Sequence, residues 1–166
     1  MNDAPLHLLV NHFPIIGTIL GMGILITGML LKNNSVKNTA YILFIVAAIF
    51  AAFSMGTGEG AEELVEDFPS IGKQIIHEHE EIAEKFAIIM YVTGFLGLLS
   101  LYTSIKNHNL AKTFSFITLA MALLAAVFAK SVGTTGGEIR HTEIRANSTS
   151  NANENVPGLQ NEKDED

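Results

Sequence analysis

The sequence predicts an all-α protein, a four-helix transmembrane bundle with an amphipathic outer segment between spans 2 and 3 and a disordered polar C-terminal tail. Four stretches, residues 8–31, 38–58, 86–105 and 113–129, contain no Asp, Glu, Lys or Arg, and a helix needs about 20 such residues to cross a bilayer. None of them shows the two-residue alternation of a membrane barrel. The spans are therefore expected at about 8–31, 38–58, 86–105 and 111–133, in a membrane domain of residues 1–146 followed by a tail of residues 147–166.

The first span is expected to be part of the mature protein. It is too long for a signal peptide, no basic residue precedes it, and it lacks a clear small-residue cleavage site. Asp3 can cap the helix and Pro5 fits its first turn. Pro14 lies inside the helix and cannot bond to the carbonyl of Val10, so a kink is expected near His12.

The two short connections predict the orientation. Residues 32–37 and 106–112 each carry two lysines and no acid, which is typical of cytoplasmic loops. The N-terminus, the connection of about residues 59–85 and the tail then lie outside. We expect a protein integral to the cytoplasmic (inner) membrane of a bacterium, N-out and C-out.

The outer connection is strongly acidic. Residues 58–86 hold nine Asp or Glu and two Lys. The simplest interpretation is an amphipathic cap on the membrane surface, with carboxylates in water and apolar side chains toward the bundle. Those apolar side chains are Leu64, Val65, Phe68, Ile71, Ile75 and Ile76.

This topology places most of the histidines at the outer level of the membrane. Only His108 falls at the inner side, and the others come to the outer ends of three spans; these are His7, His12, His77, His79 and His141. Imidazoles tolerate a water–lipid boundary, so a structural role is one explanation. Their convergence from different spans favours a shared site.

Helical spacing separates the histidines within each pair. His7 and His12 lie about 140° apart on an ideal helix, and His12 shares its face with Ile16, Ile19 and Gly23, so it faces the bundle if that stripe does. Gly17 and Gly21 form a G-x-x-x-G pair, which is typical of close helix packing.

His77 and His79 lie about 200° apart. His79 aligns with Ala83, Phe86 and Met90, whereas His77 aligns with glutamates. His79 is therefore the better ligand candidate, or else a hydrogen-bonded core histidine, and His77 the better solvent-exposed one.

The fourth span ends in GTTGGEIRH, residues 133–141. Its glycines can end the helix or let a cofactor approach the backbone. Arg140 or Lys130 is then available to bind an anionic group such as a propionate.

The stretch HLLVNHFPI, residues 7–15, resembles the N-terminal motif of domain-of-unknown-function family 2231, bacterial four-span membrane proteins whose motif reads roughly HPxxVHFPI. SMGTGEGAEE and TGGEIRH are similar to that family's patterns after the second and fourth spans, and His77 or His79 falls where it has a histidine. Leu8 stands where the family usually has proline. Fusion of some relatives to Rieske-type iron–sulfur domains implies a redox neighbourhood.

The leading hypothesis is a haem b protein for electron transfer near the outer membrane surface. Two imidazoles fill both axial positions of a haem and suit electron transfer, and His12 and His79 are the favoured pair. His7 and His141 are reserves, and Glu59 or Glu138 could orient a ligand imidazole. The expected partners are membrane lipid and a redox protein such as a Rieske-type iron–sulfur protein.

Two other classes stay open. A non-haem metal or cation-handling site could use His12, His77, His79 and glutamates for Zn, Cu or Fe, and a non-catalytic structural subunit would use its histidines only for hydrogen bonds. An electron-transfer or accessory subunit is favoured over an enzyme. The chain has no cysteine, so thiolate sites and disulfides are excluded. Nothing in the sequence resembles a nucleic-acid surface, so no nucleic-acid partner is expected.

Overall fold

A computed structural model describes residues 4–65 and 73–141. Within these ranges the chain forms five helices that alternate with short connections. They are α1 (Ala4–Val10), α2 (His12–Leu30), α3 (Asn34–Val65), α4 (Lys73–Ile105) and α5 (Ala111–Arg140).

Four helical stretches are long and apolar enough to cross a membrane, which confirms the predicted helical bundle. They are Ala4–Leu30, which joins α1 and α2, then Asn34–Glu63, Lys73–Ile105 and Ala111–Ile139. Large apolar side chains such as Leu20, Phe95 and Val127 point outward and are more than half exposed. In a membrane protein such side chains face lipid, since the tails are as apolar as they are.

The spans follow one another around the bundle. Each span packs on the next, and α2 packs on α5 to close the ring, while α1 lies against α3. Two contacts cross the middle: Thr18 Oγ1 lies 3.0 Å from Met90 Sδ, and the Tyr41 hydroxyl lies 2.6 Å from Ser115 Oγ. Ser115 donates its own proton to the Ala111 carbonyl, so Tyr41 is the donor of that bond.

The predicted break in the first span is present. α1 ends at Val10 and α2 begins at His12, with Asn11 between them in a turn. Pro14 is expected inside one continuous helix, but it lies in the first turn of α2, where its missing N–H is tolerated.

The outer connection is built from helix extensions. α3 runs on to Val65 and α4 begins at Lys73, so the acidic residues of the described part lie on the ends of these two long helices. Ile76 is buried and Ile75 partly buried, as predicted. Residues 66–72 and the expected disordered tail lie outside the described residues, as do the predicted contacts of Phe68 and Ile71.

Small residues make the helix contacts. A Cβ added to Gly17 would lie 2.8 Å from the Cβ of Ala47, and one added to Gly21 would lie 2.7 Å from the ring of Phe44. The G-x-x-x-G pair thus lets α2 approach α3 closely, as predicted. The buried face of α2 consists of Pro14, Gly17, Thr18, Gly21, Leu25 and Gly28.

The two ends of the bundle differ in charge. We call the end that contains α1, the last turns of α3 and α5 and the first turns of α4 the histidine end. The lysine end contains residues 31–33, residues 106–110 and the first turns of α3 and α5. Both connections at the lysine end turn through a residue with positive φ, Lys32 at 52° and Asn107 at 49°.

Candidate cofactor site at the histidine end

His7 is the histidine of the first span that faces the bundle. Its side chain is partly buried, and Nδ1 lies 3.1 Å from the carbonyl oxygen of Ser54 and 3.2 Å from Oγ1 of Thr57. Both partners belong to α3, so the ring is held where α1 packs against that helix.

His79 is the inward histidine of α4. It is partly buried, and its Nδ1 lies 2.9 Å from Oγ1 of Thr135 on α5. His77 is 70% exposed, and its ring nitrogens lie 3.9 Å from Glu80 and 3.4 Å from Glu81. The prediction that His79 faces the bundle and His77 faces solvent is confirmed.

The hydrogen bonds indicate which nitrogen carries the proton in the two inward rings. A carbonyl can only accept, so His7 donates from Nδ1 to Ser54. The single hydroxyl proton of Thr135 has carbonyl acceptors on its own helix, those of Ser131 and Val132, so a proton on Nδ1 of His79 lets both groups donate. In this tautomer each ring keeps the lone pair of Nε2.

His7 and His79 lie at the same end of the bundle, on the first and third spans. A glycine lies beside each ring: a Cβ on Gly136 would lie 3.0 Å from Cε1 of His79, and one on Gly58 would lie 3.8 Å from Cε1 of His7. The side-chain oxygen of Asn11, at the helix break, is buried and has no hydrogen-bond partner in the described chain.

The expectation that His12 faces the bundle is wrong. His12 is exposed, and its Nδ1 lies 3.3 Å from the carbonyl of Leu8 on its own helix turn. The stripe it shares also faces outward, since Ile16 is 53% and Ile19 52% exposed. Because lipid accommodates these large side chains, the small residues of α2 occupy the interface instead and turn His12 away from it.

The remaining predicted residues belong to the same end of the bundle. Glu59 and His141 are exposed and Glu138 is partly buried. His141 caps α5, with its backbone N–H bonded to the Gly137 carbonyl, and Arg140 is the last residue of that helix. His108 lies at the lysine end, where its Nδ1 accepts a bond from the N–H of Leu110.

An open groove of about 840 Å³ runs along α5, with Ile82 of α4 on its other side. Its wall includes Lys130 and Thr135. Lys130 therefore lies in the same groove as the threonine that contacts His79.

Within residues 4–65 and 73–141, no group of three or more His, Asp or Glu side chains is arranged to hold a metal ion.

The residues that orient the imidazoles were missed by the sequence reasoning. Thr57 and Thr135 each stand next to a glycine, in MGTGE and GTTGG. A threonine beside glycine at the end of an apolar helix could have indicated them, but their pairing with His7 and His79 depends on how α1, α3, α4 and α5 meet.

No family model matches this chain, and no curated protein or solved structure was found to be similar to it. The resemblance to domain-of-unknown-function family 2231 stays a prediction.

Proposed function

We propose that this protein binds haem b at the histidine end and transfers electrons there, with His7 and His79 as the axial ligands. The observation that carries the proposal is the shared hydrogen bonding of the two rings. Both are anchored through Nδ1, which leaves Nε2 of each ring as the nitrogen that would bind iron. Ligating histidines characteristically donate their other ring N–H in this way.

The donor set fits this cofactor. A porphyrin supplies four of the six ligands of its iron, so two imidazoles complete the set and leave no position for a substrate. The small residues Gly58 and Gly136 beside the rings, and the unsatisfied oxygen of Asn11, are consistent with a further group at this level. The haem would supply the one-electron chemistry.

Residues of α3 and α5 position the two imidazoles. The Ser54 carbonyl and Thr57 hold the His7 ring on α3, and Thr135 holds the His79 ring on α5. Because the two rings belong to spans 1 and 3, ligation would also tie these helices together. Lys130, in the groove beside Thr135, is a cation that would neutralise a propionate at this end; Arg140 is the other candidate from the sequence.

The orientation and the partner are part of the proposal. The lysine end carries four lysines at positions 32, 37, 106 and 112, which supports a cytoplasmic location for it in a bacterial inner membrane. The histidine end would then face outward and exchange electrons with a redox partner such as a Rieske-type iron–sulfur protein.

An absorption spectrum of the purified protein tests the proposal. Protein from haem-sufficient cells should show a sharp Soret band and split visible bands on reduction. His7→Ala and His79→Ala should each abolish the low-spin spectrum, because each removes an axial ligand. His12→Ala and His77→Ala are the matched controls, since each removes a neighbouring exposed histidine, and both should retain it.

Other outcomes would contradict the proposal. A colourless preparation with stoichiometric Zn, Cu or Fe by elemental analysis would favour a non-haem site, and one with neither would favour a structural subunit. Loss of haem from His12→Ala but not from His7→Ala would overturn the choice of ligands.

A further inference from the structure

A second groove, of about 620 Å³, opens at the lysine end between α2, α3 and α5. Three lysines from different parts of the chain line it: Lys32 follows α2, Lys37 belongs to the first turns of α3, and Lys112 to the first turn of α5. Lys32 and Lys112 are exposed and Lys37 is partly buried. The packing of α5 thus brings Lys112 to the same recess as Lys32 and Lys37.

No carboxylate neutralises these lysines from within the bundle. The sequence has no Asp or Glu in residues 4–58 or 86–137, so every acid of the described helices belongs to the histidine end. The start of α5 adds to the positive potential, since this helix has no side-chain cap and a helix N-terminus favours an anion. The opening of the groove is therefore positively charged and complementary to an anion.

The wall beyond the lysines is apolar. Met29 and Leu30 of α2 face Phe116 and Leu119 of α5 across the groove. Leu119 lies seven residues after Lys112, or about 10 Å along the helix axis into the membrane. A ligand that fills the groove must therefore combine an anionic head with an apolar chain.

We propose that this groove binds an anionic phospholipid of the leaflet at the lysine end. The phosphate lies among Lys32, Lys37 and Lys112, and an acyl chain follows the wall formed with Phe116 and Leu119. Basic pockets between membrane helices recognise acidic headgroups in this way. Since three ammonium groups exceed the charge of one phosphodiester, a lipid with two phosphates binds more tightly than a lipid with one. The site is independent of the histidine end.

Lipid titration of the purified full-length protein, followed by native mass spectrometry, tests the proposal. Cardiolipin is the lipid with two phosphates, phosphatidylglycerol the lipid with one, and phosphatidylcholine the neutral reference. We expect affinity to fall in that order. Lys32→Gln, Lys37→Gln and Lys112→Gln should each weaken cardiolipin binding roughly fivefold, and the triple variant on the order of 100-fold, from the usual strength of a lysine–anionic lipid contact.

Lys106→Gln is the matched control. It removes a lysine from the same end of the bundle but outside the groove wall, and should change affinity less than twofold. If it weakens binding as much as Lys112→Gln, the general charge of this end attracts lipid and the groove is not the site. An equal affinity for cardiolipin and phosphatidylcholine would also overturn the proposal.

The apolar wall separates a lipid from a free phosphate. Phe116→Ala keeps every charge and should weaken cardiolipin binding several-fold, and inorganic phosphate should compete poorly. If phosphate displaces the lipid fully and Phe116→Ala has no effect, the groove holds only an anion and the proposal fails. A triple Lys→Arg variant retains the charge and should retain binding, and circular dichroism of each variant without lipid monitors folding.

Discussion

Nδ1 of His79 on α4 lies 2.9 Å from Oγ1 of Thr135 on α5, and this contact holds the imidazole against α5. The Thr135 oxygen also lies 3.1 Å from the carbonyl oxygen of Ser131 and 3.3 Å from that of Val132. A proton on Nδ1 of His79 would therefore let the ring and the hydroxyl both donate. His7 is anchored through Nδ1 on α3 in the same way.

Thr135→Val should weaken cofactor binding roughly 10–100-fold, the usual effect of losing a group that orients a ligand. Valine has the shape of threonine but cannot accept the Nδ1–H bond. Haem titration of the apoprotein, followed at the Soret band, measures the change. Thr134→Val is the control, because Thr134 is exposed and bonds only to Lys130 on its own helix. An equal loss of cofactor affinity in both variants would contradict a role for the His79–Thr135 bond in cofactor binding.

Gly136→Ala should displace the His79 ring and lower cofactor occupancy. The new Cβ would lie 3.0 Å from Cε1, closer than an ordinary van der Waals contact, so the imidazole must move. Gly133→Ala on the same helix meets nothing within 4 Å and should leave occupancy unchanged. The ratio of Soret to protein absorbance in the two variants checks this, and an unchanged ratio in Gly136→Ala would show that the ring is free to shift.

Gly17→Ala should lower the free energy of unfolding by about 1–3 kcal/mol, the usual cost of overpacking. Its Cβ would meet the Cβ of Ala47 at 2.8 Å, so α2 and α3 would have to separate. Gly23→Ala, on the lipid-facing side with nothing within 4 Å, should be neutral or stabilising because alanine is the better helix former. Reversible unfolding in detergent compares them; a reversed order would disprove the α2–α3 contact.

A cysteine at Ser35 should resist an impermeant thiol reagent in intact cells, and one at Glu63 should react with it. Both positions are exposed, at opposite ends of the bundle, and the chain has no native cysteine to interfere. The expectation rests on the lysines of the short connections. Labelling of Ser35→Cys but not of Glu63→Cys would invert the topology and put the histidine end inside.

The local pattern of the sequence determined the helices and several of their faces. Uncharged stretches of sufficient length predict spans because a backbone in lipid must satisfy its own hydrogen bonds. Pro14 predicts the break before α2 because its ring nitrogen carries no proton. Helix geometry places His77 and His79 on opposite faces of α4. The face of His77 also carries glutamates, which require water, so His79 faces the bundle.

Tertiary structure alone decided which histidine of the first span faces inward. The helical angle separates His7 from His12, but the sequence does not say which face α2 buries, since in lipid both the aliphatic stripe of Ile16 and the small-residue stripe of Gly17 are compatible with burial. The close approach of Gly17 to Ala47 selects the small-residue face, which turns His12 outward and His7 toward Ser54. The contacts of Thr57 with His7 and of Thr135 with His79 arise only when the helices pack, because each joins residues distant in the chain. The same packing brings Lys112 of α5 to the groove that holds Lys32 and Lys37.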